Sequence, residues 1–510
     1  MFIINEWVAL DSLAFSSRND AHSGKCAQSI VLKNKYKGDT LMISMKNLLF
    51  PSFLMNRKQI VTTLSLGLMG MMLLMFAGCD RFDLGTIDNN RDASDTVDPN
   101  LVRANTMFGF KLLDALRQPD QDENTLLSPY SLSVALAMAR NGAAGETQQA
   151  IVDALQLQAL APESINTNYV YLQRALQAPD SKVTLEIANA LWAAEGIEFD
   201  PGFLDRNDPF LDTEIATLDF TEPTNVSTIN ESIDASTNGA IPSVVDAIAP
   251  QTIACLINGI YFKGSWQEEF DASLIQDEPF TLTNGSKKQI PMMRRTDWYP
   301  YYADNQFQVV SLPYEEGQMG MYIFLPNRGT DLNTFLDRLN VEDWEVWMSQ
   351  FSQREVSLVL PTFKLEYSVE LRTALEQLAM GIAFDEDRAD FSRMTASSVP
   401  VFISYLTHKA VVEVNEEGTE ASTGSFIFFD DVTTTQAAES VPPIPFIVDR
   451  PFFFAIRDNP TGTVLFMGVV VDPTTVKEPP FIPSPPPLPG LDVVPDFDEP
   501  QFVPDLEDPL

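Results

Sequence analysis

Leu101, Ala104, Phe108, Leu112 and Leu116 recur at three- and four-residue intervals. That spacing lays one apolar stripe along a helix, so an amphipathic helix is predicted to open the folded part of the chain. A second helix is predicted to start in Ser128-Pro-Tyr-Ser131, with Ser as cap and Pro in the first turn, and to run through Val134-Ala-Leu-Ala-Met138. Strand-like runs take over in the second half, at residues 252–262, 322–325, 356–360, 410–414, 451–457 and 464–471. The last two are nearly all apolar and predict strands covered on both faces. No internal repeat or linker-like break interrupts residues 101–473, which read as one α+β body of about 370 residues.

The flanks have a different pattern. A basic start at Met55-Asn-Arg-Lys-Gln precedes an apolar stretch over residues 60–76 and the ending Phe76-Ala-Gly-Cys79. These are the parts of a secretory signal, and the cysteine at the cleavage point resembles a bacterial lipoprotein signal, in which Cys79 takes the lipid. Residues 55–78 are then the signal peptide, and residues 1–54 are a mis-assigned start or an extension. Residues 79–100 are polar and Asp-rich and read as a flexible tether. At the far end, residues 474–510 form a Pro-rich acidic tail, expected to be extended and solvated. The expected location is outside the cell or in the periplasm, held to a bacterial membrane through the lipid.

Charge and residue counts narrow the chemistry. The chain has 510 residues, 33 Lys+Arg against 71 Asp+Glu, and a formal net charge of −38. Such a field repels a phosphate backbone, so nucleic acid is excluded as a partner. Three cysteines, at 26, 79 and 255, form neither a disulfide framework nor a close-spaced zinc site, and no metal or cofactor is expected. The run from Asp88 to Asp92 resembles a calcium loop but has Ala93 where the sharp turn needs Gly. Only two histidines occur, His22 and His408, and no Gly-x-Ser-x-Gly elbow is present to pair with either. An enzyme is not expected.

Several motifs then resemble one family. Asn124-Thr-Leu-Leu-Ser-Pro-Tyr-Ser131 leading to Asn141-Gly-Ala-Ala-Gly-Glu-Thr147 is similar to the early signature of serpins. Asn258-Gly-Ile-Tyr-Phe-Lys-Gly-Ser-Trp266, Leu360-Pro-Thr-Phe363, Ala389-Asp-Phe-Ser392, the stretch from His408 to Ala421, and Arg450-Pro-Phe-Phe-Phe454 follow in family order. The resemblance implies a fold of three β-sheets and about nine helices with an exposed reactive loop. It also implies an inhibitor of serine proteases, with cysteine proteases as a second class: the protease cleaves the loop, which inserts as a new strand and traps the acyl-enzyme. The alternative is a non-inhibitory serpin acting as a binding or structural protein.

The resemblance makes Glu416, Glu417, Gly418, Thr419, Glu420, Ala421, Ser422, Thr423 and Gly424 the loop hinge. Strand alternation puts Thr419, Ala421, Thr423, Ser425, Ile427 and Phe429 on one face, uncharged and mostly small, with Glu420 on the other. An inserting arm needs such an inward face, because a buried charge is costly. Counting forward from the hinge gives Val432–Thr433 as the cleaved bond, whereas counting back from Arg450 gives Glu439–Ser440. Val432 suggests an elastase-like or subtilisin-like target. By the same resemblance Ser128, Ser131, Asn258 and His408 form a hydrogen-bonded cluster beneath the large sheet, and Trp266 sits where the loop first inserts. Cys255 is expected to be an inert buried thiol, and the protein a monomer.

Overall fold

The computed structural model describes residues 97–117, 122–176, 183–208, 210, 213–222, 224–250, 252–395, 400–419 and 442–474, together with three strands near the N-terminus. Those strands, Leu10–Asn19, Cys26–Asn34 and Thr40–Met45, form an antiparallel sheet with Cys26–Asn34 in the middle. They belong to a unit spanning Met1–Asn89, separate from the larger unit Asn90–Leu510. The lipoprotein signal, its Cys79, most of the tether, the Pro-rich tail and residues 420–441 lie outside the described residues.

In the larger unit the first amphipathic helix runs Pro99–Arg117, beginning two residues before the apolar stripe. The next, Pro129–Gly142, has every residue buried. Its start follows local chemistry: the Ser128 side chain accepts from the Ser131 N–H, and Pro129 occupies the first turn where no donor is missed. A helix apolar on all sides must sit inside, and this one packs against Val464–Val470 on one side and Ala254–Ser265 on the other. The described residues contain nine α-helices in all.

Those two strands belong to different hydrogen-bonded networks. The first runs Phe363–Glu370, Tyr405–Val414, Ala254–Ser265, Val183–Ala194, Thr213–Leu218, with the short Gly418–Thr419 added on Ala254–Ser265. The second has nine strands. Its long member Lys287–Ala303 pairs with Ser352–Pro361 over Met292–Tyr301 and with Phe307–Pro313 over Tyr301–Ala303, so two sets of strands share one backbone. This is the mixed α+β architecture of several sheets expected above. Phe452–Asp458 and Val464–Val470 are almost wholly buried, as their apolar runs predict. Strands Val183–Ala194, Thr213–Leu218, Gln276–Thr281, Lys287–Ala303 and Phe307–Pro313 are additions to the runs picked out by pattern.

Candidate functional site

Tyr405–Val414 and Ala254–Ser265 run parallel at the centre of the first sheet, paired from Tyr405↔Cys255 to Val411↔Tyr261. There the pairing stops. Val412, Glu413 and Val414 keep their partners Leu365, Lys364 and Phe363 on the other side but have none in Ala254–Ser265. Above this gap the chain turns back, and Gly418↔Ser265 and Thr419↔Gly264 pair antiparallel on the same strand. The two central strands are therefore parted at one end, with the first two residues of the following segment seated between them.

The turn is fixed by side chains from three elements. Asn415 Oδ1 accepts from the Glu417 and Gly418 N–H groups, each at 3.1 Å. Trp266 Nε1 donates to the Asn415 carbonyl at 2.9 Å, and the Trp266 N–H donates to the Glu417 carbonyl. The Trp266 ring stacks on Tyr314, with centroids 4.7 Å apart and planes 11° from parallel. The Tyr314 hydroxyl lies 2.9 Å from Thr419 Oγ1, and Thr419 is fully buried. Gly418 cannot be replaced cheaply, because an added Cβ would collide with the Gly264 carbonyl oxygen and lie 2.6 Å from the Ser265 Cα. One buried oxygen of the Glu417 carboxylate has no hydrogen-bond partner.

Lower on the same strands, where His408 pairs with Asn258, these two meet Ser128 and Ser131 from the start of the helix Pro129–Gly142, and all four are fully buried. His408 Nε2 accepts from the Ser128 N–H at 3.3 Å and is therefore unprotonated, while Nδ1 donates to Asn258 Oδ1 at 2.7 Å. Ser131 Oγ donates to the same oxygen at 2.9 Å, and Asn258 Nδ2 donates to Asn189 Oδ1 at 2.8 Å. Burial holds the imidazole neutral, with its pKa pushed down to about 3. The ring faces a backbone donor and an amide, not a serine hydroxyl, so the arrangement is no nucleophile–base relay. Cys255 is buried and its thiol pushed up to about 12, which keeps it protonated.

Of the hinge residues, Glu417, Gly418 and Thr419 are thus placed beside Trp266, and the Glu416 carbonyl accepts from the Phe270 N–H at 2.8 Å. Glu420, Ala421, Ser422, Thr423 and Gly424, and both candidate bonds, Val432–Thr433 and Glu439–Ser440, lie outside the described residues. Three residues of the site are additions to those named from the sequence. Asn189 is the polar residue inside the apolar run from Ile187 to Trp192, a signal that is available. Tyr314 and Asn415 carry none, since Tyr314 lies 105 positions from the residue it holds. Among the described residues no group of acidic, His or Cys side chains is arranged to hold a metal ion.

Residues 103–473 match the family described as Serpin (serine protease inhibitor). Leukocyte elastase inhibitor A of Mus musculus is 33% identical over 387 residues, which cover 73% of this chain and 99% of that one. Serpin B8 of Homo sapiens is 35% identical over 383 residues, covering 73% and 100%. Among solved structures, the thermophilic serpin Tengpin in its native state is similar with a TM-score of 0.67 at 28% identity, over 74% of this chain and 95% of that one.

Proposed function

This chain belongs to the serpin family, and on that premise we propose how it inhibits serine proteases and which bond it offers them. It is an inhibitor and not an enzyme: a protease cleaves the loop as substrate, and the cleaved arm enters the sheet as a new strand with the acylated protease attached. Strand addition of this kind is a known form of conformational switch. One observation carries the reading for this molecule: Gly418 and Thr419 already occupy the first two positions of that strand, above a gap between its future neighbours.

The pairing also supports a choice of bond. Extending the register Gly418↔Ser265 and Thr419↔Gly264 along the strand brings Phe429 opposite Ala254, its first residue. A fully seated arm is then about 40 Å long at ~3.3 Å per residue. Val432 would emerge three residues past the end of the sheet, leaving the protease no slack. Glu439 would emerge ten residues past it, with about 30 Å of free chain that spares the protease any distortion. We therefore assign the cleaved bond to Val432–Thr433. Val432 fits an elastase-like or subtilisin-like protease, and a mammalian relative's name, Leukocyte elastase inhibitor A, points the same way. The test is incubation with pancreatic elastase and with subtilisin. A covalent complex that survives SDS, with cleavage mapped after Val432, is expected; cleavage without complex would leave the binding or structural alternative.

For location we propose export and lipid attachment at Cys79, and this rests on the signal-like pattern of residues 55–79 alone. The mouse and human relatives quoted above lend it no support. No helix among the described residues is long and apolar enough to cross a membrane.

A further inference from the structure

The tail carries a pattern that the inhibitor reading leaves unused. Pro480, Pro483, Pro486 and Pro489 recur at every third position. Polyproline II has three residues per turn, so in that conformation the four rings fall on one edge. The stretch 479–490 around them is uncharged, whereas seven carboxylates follow between Asp492 and Asp508. Proline has no N–H, so such an edge is recognised by aromatic faces that take its rings and by donors that meet its carbonyls.

The fold offers a groove of that kind. Trp266, Phe270, Trp298 and Tyr299 line it. Trp298, on Lys287–Ala303, is 65% exposed, and covering an aromatic ring of that size is strongly favourable. The Tyr299 hydroxyl is buried without a hydrogen-bond partner, which leaves an unused donor in the wall. The charged side chains of the groove answer one another, Arg295 pairing with Asp297 and with Glu268. Two carboxylates against one guanidinium turn away the acidic end of the tail, and nothing in the lining opposes the uncharged stretch before it.

The point where the tail begins decides which segment can reach this groove. Thr474 Oγ1 accepts from Lys288 Nζ at 3.2 Å, at the start of the strand that carries Trp298. Ten residues of strand separate Lys288 from Trp298, at most ~33 Å. Pro483 lies nine residues beyond Thr474 and Pro486 twelve, ~28 and ~37 Å in polyproline II. The middle of the proline edge therefore arrives at Trp298. The surface along the way is uncharged on the neighbouring strands, where Val359 sits beside Ile447 and Ser357 beside Pro445, with Ile447 and Pro445 exposed. Tethered at this distance, the segment meets the groove at roughly millimolar effective concentration, so an affinity too weak to join separate molecules is sufficient.

We infer that residues 480–489 of this chain's own tail dock as a polyproline II segment on Trp298 and the groove beside it. The docked segment covers the exposed indole and braces Trp266 and Phe270, whose N–H groups hold the Glu417 and Glu416 carbonyls of the hinge. The tail is then a strap on the fold and more than a spacer, whichever protease the loop receives.

The experiment reads Trp298 in the full chain. With 5-fluorotryptophan in place of tryptophan, its fluorine NMR line is assigned through Trp298→Phe, and its broadening by a soluble gadolinium chelate is measured. The parent is compared with a variant carrying Pro480→Ser, Pro483→Ser, Pro486→Ser and Pro489→Ser together. A control carries Pro495→Ser, Pro500→Ser and Pro504→Ser. Broadening ~3-fold greater in the first variant and unchanged in the control is expected, because docking covers most of the exposed ring. Equal broadening in the parent and the first variant overturns the docking. Broadening in the parent that grows on dilution gives the groove to the tail of a second copy and overturns the intramolecular strap. A rise in the control as large as in the first variant shows the acidic end holding the tail, and also overturns the inference.

Discussion

Thr419→Glu tests the seated hinge most sharply. A cation is the weaker choice, because the unpartnered oxygen of Glu417 would offer it a mate. Thr419 is fully buried and holds the Tyr314 hydroxyl at 2.9 Å. Losing that hydrogen bond costs about 1 kcal/mol. A glutamate there must either bury its charge beside Glu417 or take up a proton. At pH 7.5, protonating a carboxyl of ordinary pKa ~4.3 costs about 4 kcal/mol, which caps the penalty. In the uncleaved molecule the substituted hinge avoids this penalty by leaving its seat beside Gly264, so position 419 must seat afresh at the start of insertion and most of the penalty then falls on the insertion barrier. A rise of ~3 kcal/mol slows insertion about 150-fold, long enough for the acyl-enzyme to hydrolyse. The stoichiometry of inhibition, read by SDS gel against elastase-like and subtilisin-like enzymes, should rise from near one to tens. At pH 5.5 the protonation cost falls by about 3 kcal/mol and most of the inhibition should return. Thr419→Val should remain an inhibitor. Unchanged stoichiometry for Thr419→Glu at pH 7.5 would refute the argument.

The remaining predictions concern the rest of the site and the flank. Gly418→Ala should displace the hinge, because its methyl meets the Gly264 carbonyl, and should slow complex formation at least ten-fold in the same assay. Asn189→Ala removes the acceptor of Asn258 Nδ2 and should destabilise the fold by about 1–3 kcal/mol, read as a lower urea midpoint. For His408 the folded pKa lies near 3 and the unfolded value near 6.5, so its contribution is complete above pH 6.5 and is lost as pH falls towards 3. The stability gap between the protein and His408→Gln should therefore narrow by up to ~1.4 kcal/mol per pH unit below 6.5, and a constant gap in urea titrations would contradict the buried neutral ring. Cys79→Ser should abolish incorporation of labelled fatty acid in a bacterial host, and retained label would remove the proposed anchor.

The parts of this fold legible in the sequence are those with short-range causes. The Ser128 cap, the Pro129 start and the two nearly all-apolar strands follow from neighbours within a few residues, and pattern places them with nearly the right bounds. Lys287–Ala303 is different. It changes partners along its length, so residues Met292 to Tyr302 carry charged, aromatic and apolar side chains in no single alternation. Residues 128, 131, 258 and 408 come together in the sequence only through the family resemblance, since nothing local joins positions 280 apart. Tyr314 and Asn415 need the folded geometry, because their roles depend on where a turn ends in space.

The parted strands also bear on how long the molecule lasts. Seven paired positions, Tyr405 to Val411, close the sheet that the arm is to enter. A form waiting behind a barrier of this kind has a working life governed by a rate, not by its free energy relative to the unfolded chain. Warming should therefore exhaust it well below its melting point, through spontaneous opening along this seam, and its loss on storage should steepen with temperature as barrier crossings do. Substitutions that tighten the lower pairing would lengthen shelf life while slowing capture. In this protein, durability and speed are two readings of one seam.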